Sequence, residues 1–204
     1  MPSAAGRFYL STLFHDVHVS ISFVGGHDPR RSARFDSRCL RRALTNELGE
    51  ALPKRYLTMD DVDRMDGFSF EVFCCVLWAK RKYQTTVTNK RGGDGGIDVV
   101  ALKGKEGELL QCKSSINADV GWDAIKEVTA GAAKYQARFA GTLFRKVAVT
   151  NQAFTKGAVS QGQANSVELV TRDRLAELLG ANPITNYEFD EALLEWMPVV
   201  QEAA

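Results

Sequence analysis

Gly92-Gly93-Asp94-Gly95-Gly96-Ile97-Asp98-Val99-Val100-Ala101-Leu102, followed by Glu108-Leu109-Leu110-Gln111-Cys112-Lys113, is the stretch that decides the fold. Ile97 to Leu102 is apolar and β-prone, Lys103 to Gly107 is a turn signal, and Glu108 to Ser114 is a returning strand. The segment therefore reads as a hairpin. Side chains alternate along a strand, so Gln111 and Lys113 share one face, with Leu110 and Cys112 on the other. On the partner strand Asp98 shares a face with Val100 and Leu102. In the expected register Asp98, Gln111 and Lys113 converge at one end of the pair, just after a glycine turn, where the sheet opens to solvent.

Working outward from the hairpin, Asp66-Gly67 is a helix cap signal, and Phe70, Phe73, Cys74 and Leu77 follow at helical spacing, predicting a helix to about Lys82. Tyr83 to Thr88 reads as a short strand. After the hairpin, Trp122, Ile125, Val128, Ala132 and Tyr135 recur at steps of three or four, which predicts a long helix. Val147 to Thr150 and Val167 to Val170 read as strands, with helices at Phe154 to Gln163 and Asp173 to Leu179. Gly180 and Pro183 end the last of these, and the tail carrying Phe189, Leu193, Leu194 and Trp196 reads as a further amphipathic helix. The order is that of an α/β domain with a central mixed β-sheet flanked by helices: the hairpin must be antiparallel, and the helical crossovers favour parallel pairing. The expected division is an N-terminal extension over 1–60, a domain over 61–182 and a tail over 183–204.

Residues 1–60 have a different character. Val17 to Val24 alternates as a strand does, and Gly25-Gly26 breaks it. A basic stretch carrying Arg30, Arg31, Arg34, Arg38, Arg41 and Arg42 follows, and Arg38 to Leu48 reads as a helix ended by Pro53. These arginines suit a DNA-binding arm, a linker or a docking surface for a partner protein.

The chain's net charge of +1 neither implies nor excludes a nucleic-acid partner, because basic residues can be clustered on a near-neutral protein. No stretch is apolar over the roughly 18 residues a membrane span needs. No secretory leader is evident, and the four cysteines, Cys39, Cys74, Cys75 and Cys112, lack zinc spacing. The expectation is a cytoplasmic protein with buried free thiols.

Hydrolysis of a phosphodiester requires an activated water, neutralisation of the charge developing at phosphorus and stabilisation of the leaving oxygen. A hard cation such as Mg²⁺ serves these needs and takes oxygen ligands, commonly one or two carboxylates with waters and phosphate. Asp98 offers a carboxylate, Gln111 a neutral carbonyl oxygen and Cys112 its backbone carbonyl, while the Lys113 ammonium can stabilise charge or orient water. An aspartate followed 12 residues later by Gln-x-Lys is nevertheless a short pattern, and a surface hairpin with a solvated lysine would show it too.

Met65-Asp66-Gly67-Phe68-Ser69-Phe70-Glu71, then Gly95-Gly96-Ile97-Asp98-Val99-Val100-Ala101, then Gln111-Cys112-Lys113 resemble motifs of the Mrr-like (type IV) restriction endonucleases. So do Val120-Gly121 with Ile125-Lys126-Glu127, Val149-Thr150-Asn151 with Phe154-Thr155, and Leu175 to Leu179, all in family order over about 62–180. The resemblance implies the PD-(D/E)XK nuclease fold, with Asp98 as metal-binding aspartate and Lys113 as catalytic lysine. Gln111 stands where most of the wider fold has an acidic residue, and Glu71 matches an additional acidic residue that brings a carboxylate to the metal. The implied activity is Mg²⁺-dependent DNA endonuclease (Mn²⁺ being an alternative), in restriction of foreign or modified DNA. Double-strand cutting with one site per chain favours a homodimer. Two other readings are a non-catalytic nucleic-acid-binding or assembly subunit and a structure-selective nuclease such as a junction resolvase.

Further positions suggest themselves. Lys80, Arg81, Lys82, Lys90 and Arg91 are placed to bracket the active end and meet phosphates. Asp94 reads as a turn residue, with contact to the metal or its waters as the second reading. Thr150 and Asn151 suit substrate contact or helix capping, Gln136 can face the cleft, and Trp122 can pack or stack near DNA. His15, His18 and His27 lie outside the resemblance and read as structural. The glycines at 92–96 are not a phosphate loop, since no Gly-Lys-Ser/Thr follows.

Overall fold

The computed structural model describes residues 6–14, 17–25, 53–88 and 95–196. The chain divides into two compact units, one of Met1–Leu52 with Leu194–Ala204, the other Pro53–Leu193. In the first, β1 (Gly6–Phe14) and β2 (Val17–Gly25) form an antiparallel hairpin. The alternation of Val17 to Val24 identifies β2. Its partner is missed in the sequence because alternation slips at Thr12-Leu13-Phe14. The arginine-rich stretch, the helix expected over 38–48, Asp94, Lys90, Arg91, Cys39, His15 and His27 lie outside the described residues.

The second unit is an α/β sandwich. Its elements are α1 (Met59–Asp63), α2 (Gly67–Lys80), β3 (Gln84–Val87), β4 (Val99–Lys103), β5 (Glu106–Lys113) and α3 (Asp123–Arg138). They continue with β6 (Leu143–Thr150), α4 (Lys156–Ala164), β7 (Val167–Val170), α5 (Arg172–Ala181) and α6 (Asn186–Trp196), of which the residues up to Leu193 belong to this unit. The five strands lie in the order β3-β4-β5-β6-β7. β3, β4 and β5 are antiparallel neighbours, and β5, β6 and β7 are parallel. This is the mixed sheet that a hairpin followed by helical crossovers requires.

The hairpin turns more tightly than the sequence suggests. Lys103 pairs with Glu106, so Gly104-Lys105 is a two-residue turn with Gly104 at φ +64°, left-handed backbone that favours glycine. β5 and β6 share the register Gln111↔Ala148 and Lys113↔Thr150.

The two faces of the sheet are covered differently. α2 lies against the face carrying Glu108, Leu110 and Cys112: Trp78 Nε1 donates to Glu108 Oε2 at 2.5 Å, and the Cys112 thiol meets Cys74. The cap at Asp66 is formed as expected, its carboxylate accepting from Ser69 N at 2.7 Å. Phe70, Glu71, Val72, Phe73, Cys74, Cys75, Leu77 and Trp78 are all buried, so α2 is covered around most of its circumference. On the opposite face Ala124, Ile125, Val128 and Tyr135 of α3 pack with Ile97, Val100, Leu109 and Ala148. Leu57 N donates to Ile184 O at 2.8 Å, Asn186 N donates to Arg55 O at 3.0 Å, and Tyr56 forms a bridge with Thr185. Among the described residues no helix is long and apolar enough to cross a membrane.

Candidate active site

The lead-in to β4 places Asp98 by backbone bonds on both sides. Its N–H donates to Leu110 O at 2.8 Å, and its carbonyl accepts from Thr88 N at 2.8 Å. Extending the Val99↔Leu110 register by one residue sets Asp98 opposite Gln111. Opposed residues share a face, so the aspartate, the glutamine and, two residues on, Lys113 all lie on the α3 side of the sheet. Glu71 comes from the N-terminal half of α2, on the other side of the sheet.

All four line a single cavity of ≈ 490 Å³ at the end of the hairpin, together with Gly67, Gly96, Cys112, Ser114 and Glu127. Glu71, Asp98 and Gln111 are 4%, 5% and 4% exposed, so the floor of the cavity holds two buried carboxyl groups and a buried amide. Asp98 Oδ2 accepts from Cys112 N at 2.7 Å, which turns the carboxylate toward β5. Gln111 Oε1 is buried and no donor reaches it. An orphaned buried acceptor costs roughly 1–3 kcal/mol, and a hard cation is a partner that removes this cost. Among the described residues no three His, Cys, Asp or Glu side chains group as metal ligands. Donors consisting of carboxylates, an amide oxygen and a backbone carbonyl suit Mg²⁺ or Mn²⁺, and contain no soft ligand set of the kind zinc favours. Burial pushes the Cys112 thiol well above its ordinary value, reinforced by its hydrogen bond to Cys74 and by the nearby Asp98 and Glu71 charges. The thiol thus stays protonated on the α2 face, leaving its backbone to serve the site. Cys74, Cys75 and Cys112 are free and buried.

Several expected contributors are elsewhere. Lys80, Arg81 and Lys82 do not line this cavity. α2 rises about 1.5 Å per residue, so Lys80 is roughly 13 Å beyond Glu71, at the hairpin-turn end of the sheet. There Lys80 Nζ is 2.5 Å from Glu188 Oε1, and the Arg81 guanidinium is 4.6 Å from the centre of the Trp78 ring and 3.7 Å from Glu108. Gln136 bonds the Thr142 carbonyl at 2.6 Å, beyond the far end of α3. Asn151 neither caps a helix nor faces the cavity: it accepts from Ser115 N at 2.9 Å and donates to Ser115 O at 3.0 Å and to Asp63 at 3.1 Å. Thr150 accepts from Gln152 N, and it is Thr155 that caps α4, accepting from Ala158 N at 3.2 Å. Trp122 is half exposed at the start of α3, with Lys126 Nζ 5.6 Å from its ring centre.

A charged cavity residue, Glu127, escapes the sequence reading as a site member. Glu127 Oε2 lies 2.6 Å from Lys113 Nζ. The signal available was its place in Ile125-Lys126-Glu127, flanking the buried stripe of Ile125 and Val128 at the helix start.

The hairpin thus gathers Asp98, Gln111 and Lys113 with the helix-borne Glu71 at one end of a mixed sheet in an α/β domain. Residues 62–179 match the Mrr catalytic-domain family, described as restriction endonuclease, and the chain belongs to that family. Among curated proteins none matches. Solved structures similar to the chain include AF1548, a protein described as of unknown function, at 18% identity and a TM-score of 0.40, over 56% of this chain and 67% of that one. MspJI restriction endonuclease, in complex with a 27-mer oligonucleotide, is similar at 16% identity and a TM-score of 0.41, over 85% of this chain. The DNA modification-dependent restriction endonuclease AspBHI is similar at 14% identity and a TM-score of 0.42, over 94% of this chain. The matches span 38% of the MspJI chain and 60% of the AspBHI chain.

Proposed function

We propose that the chain is a metal-dependent DNA endonuclease acting in restriction of foreign or modified DNA. The observation that carries this reading is the cavity itself, where the buried Glu71, Asp98 and orphaned Gln111 oxygens sit beside the Lys113 ammonium. Asp98, Gln111, the Cys112 carbonyl and Glu71 would hold Mg²⁺ or Mn²⁺. A divalent cation there supplies Lewis-acid polarisation of the phosphate and a more acidic bound water.

The protein's own groups do the rest. The Cys112 amide fixes the Asp98 carboxylate through one oxygen, so that group is oriented before substrate arrives. Lys113 projects from the same face of β5 as Gln111 and presents donors where negative charge develops on the non-bridging phosphate oxygens. Burial of Glu71, Asp98 and Gln111 lowers the local dielectric and strengthens these interactions. Residues 61–182 carry this activity in our reading, and two chains meeting on DNA would cut both strands.

The test is cleavage of supercoiled plasmid by the full chain with Mg²⁺, Mn²⁺ or EDTA. Cleavage is expected with either metal and none with EDTA. Asp98→Ala and Lys113→Ala should each slow it by about 100-fold or more. Undiminished cleavage by either variant removes the site assignment. Methylated, unmethylated and branched substrates then distinguish restriction of modified DNA from structure-selective cutting.

A further inference from the structure

The Lys113 ammonium and the Glu127 carboxylate form an ion pair across the mouth of the cavity, Nζ to Oε2 2.6 Å, and both residues line it. We propose that Glu127 is a positioning residue that holds the Lys113 ammonium over the site, acting through that lysine and not as a metal ligand. The proposal rests on the reading of Lys113 as the catalytic lysine.

Burial separates Glu127 from the metal-holding groups. Its side chain is 39% exposed and that of Lys113 36%, whereas Glu71, Asp98 and Gln111 are almost wholly buried. Glu127 therefore stands at the rim, with one carboxylate oxygen already committed to Lys113.

The backbone at Glu127 is also held in place. Gly96 has φ +83°, and a Cβ added there would lie 2.7 Å from the Glu127 carbonyl oxygen and 2.9 Å from the Glu127 Cβ. One turn further along α3, a Cβ on Gly131 would collide with the Gly95 carbonyl oxygen. The helix is thus pressed onto the lead-in to Asp98 at the residue that bears the carboxylate. One contact sets the positions of both the aspartate on the floor and the glutamate at the rim.

The chemistry suits this division. Lysine has a long flexible stem and three donors. A single bond to Glu127 restricts the stem and leaves two donors to meet phosphate oxygens. Lys113 can therefore keep Glu127 while it engages substrate.

The test uses the full chain as wild type, Glu127→Ala, Glu127→Gln, Lys113→Ala and the Lys113→Ala/Glu127→Ala double variant. The ¹⁵N ammonium signal of Lys113 should be resolved at low temperature in wild type, persist in Glu127→Gln, whose amide oxygen still accepts, and broaden away in Glu127→Ala. Single-turnover cleavage should fall about 10- to 100-fold in Glu127→Ala with the half-saturating DNA concentration unchanged, recover in part in Glu127→Gln, and show no further loss when the alanine is added to Lys113→Ala. Mn²⁺ affinity by calorimetry should stay within about twofold of wild type. An unchanged Lys113 signal in Glu127→Ala, additive losses in the double variant, or a tenfold drop in Mn²⁺ affinity would each overturn the proposal. If wild type cleaves no DNA while the Lys113 signal still depends on Glu127, the nuclease reading fails and the positioning of the ammonium stands.

Discussion

Gln111 brings an uncharged oxygen to a cavity that already holds two buried carboxyl groups, Glu71 and Asp98. Replacing it with glutamate isolates the effect of one further negative charge. Without metal, Gln111→Glu crowds a third carboxylate into a buried space and should lower stability by about 1–2 kcal/mol, since like charges and desolvation both oppose ionisation there. With Mg²⁺ the same charge becomes a ligand, so the metal-induced rise in melting temperature should exceed that of wild type. Melts with EDTA and with Mg²⁺ read both effects. At this scale Asp98, Gln111 and Lys113 were legible because pleat and register act over a few residues: alternation puts Gln111 and Lys113 on one face, and the hairpin register brings Asp98 to it. The pairing of Lys113 with Glu127 was not, because it depends on how closely α3 approaches the Gly95-Gly96 backbone. The basic run Lys80 to Lys82 misled for a similar reason: it is close to the hairpin in sequence, yet the length of α2 carries it to the opposite end of the sheet.

The helices and strands themselves followed from local patterns. The Asp66 cap, the Phe70-Phe73-Cys74-Leu77 spacing and the stripe of α3 each specify an element without reference to distant residues. What local pattern did not reveal is how the strand ends are tied. Asn151 is wholly buried at the end of β6 and clasps Ser115, two residues beyond Lys113, through both its amide groups. It also donates to Asp63, whose carboxyl is held below its ordinary value by the hydrogen bond from Arg172. Asn151→Ala removes three hydrogen bonds and leaves the Ser115 N–H without its acceptor, while the Ser115 carbonyl keeps Gln152 Nε2 at 3.1 Å, so it should cost about 2–3 kcal/mol. Urea unfolding measures this. The Ser115 end of β5 should loosen first, seen as faster amide exchange from Cys112 to Ser115 than elsewhere in the sheet.

For the unit as a whole, α6 is joined to the end of α2 by the Lys80–Glu188 pair. Burial pushes the Glu188 carboxyl upward, but the Lys80 bond and the two Thr185 bonds outweigh it and hold the group at about 2. A carboxyl depressed in the folded state adds stability that is fully present above its unfolded value of 4.5 and is lost as pH falls toward 2. The urea midpoint should therefore decline across that window. Lys80→Ala should make this part of the profile shallower and lower stability near neutral pH by the same small amount, because both side chains are a third or more exposed. A profile of unchanged slope in Lys80→Ala would show that other carboxyls carry the acid sensitivity.

The hydrogen bonds of Arg55 to Asn186 and of Leu57 to Ile184 bring the two boundaries of the sheet-bearing unit side by side. Its backbone is therefore almost a closed circuit, entered and left through one gate, with Glu71, Asp98 and Lys113 of the cavity all between the two ends of the path. A segment spliced in ahead of Arg55 would leave the intervening circuit uncut. Such a cassette can gain or exchange targeting modules without disturbing the groups that would cut the phosphodiester.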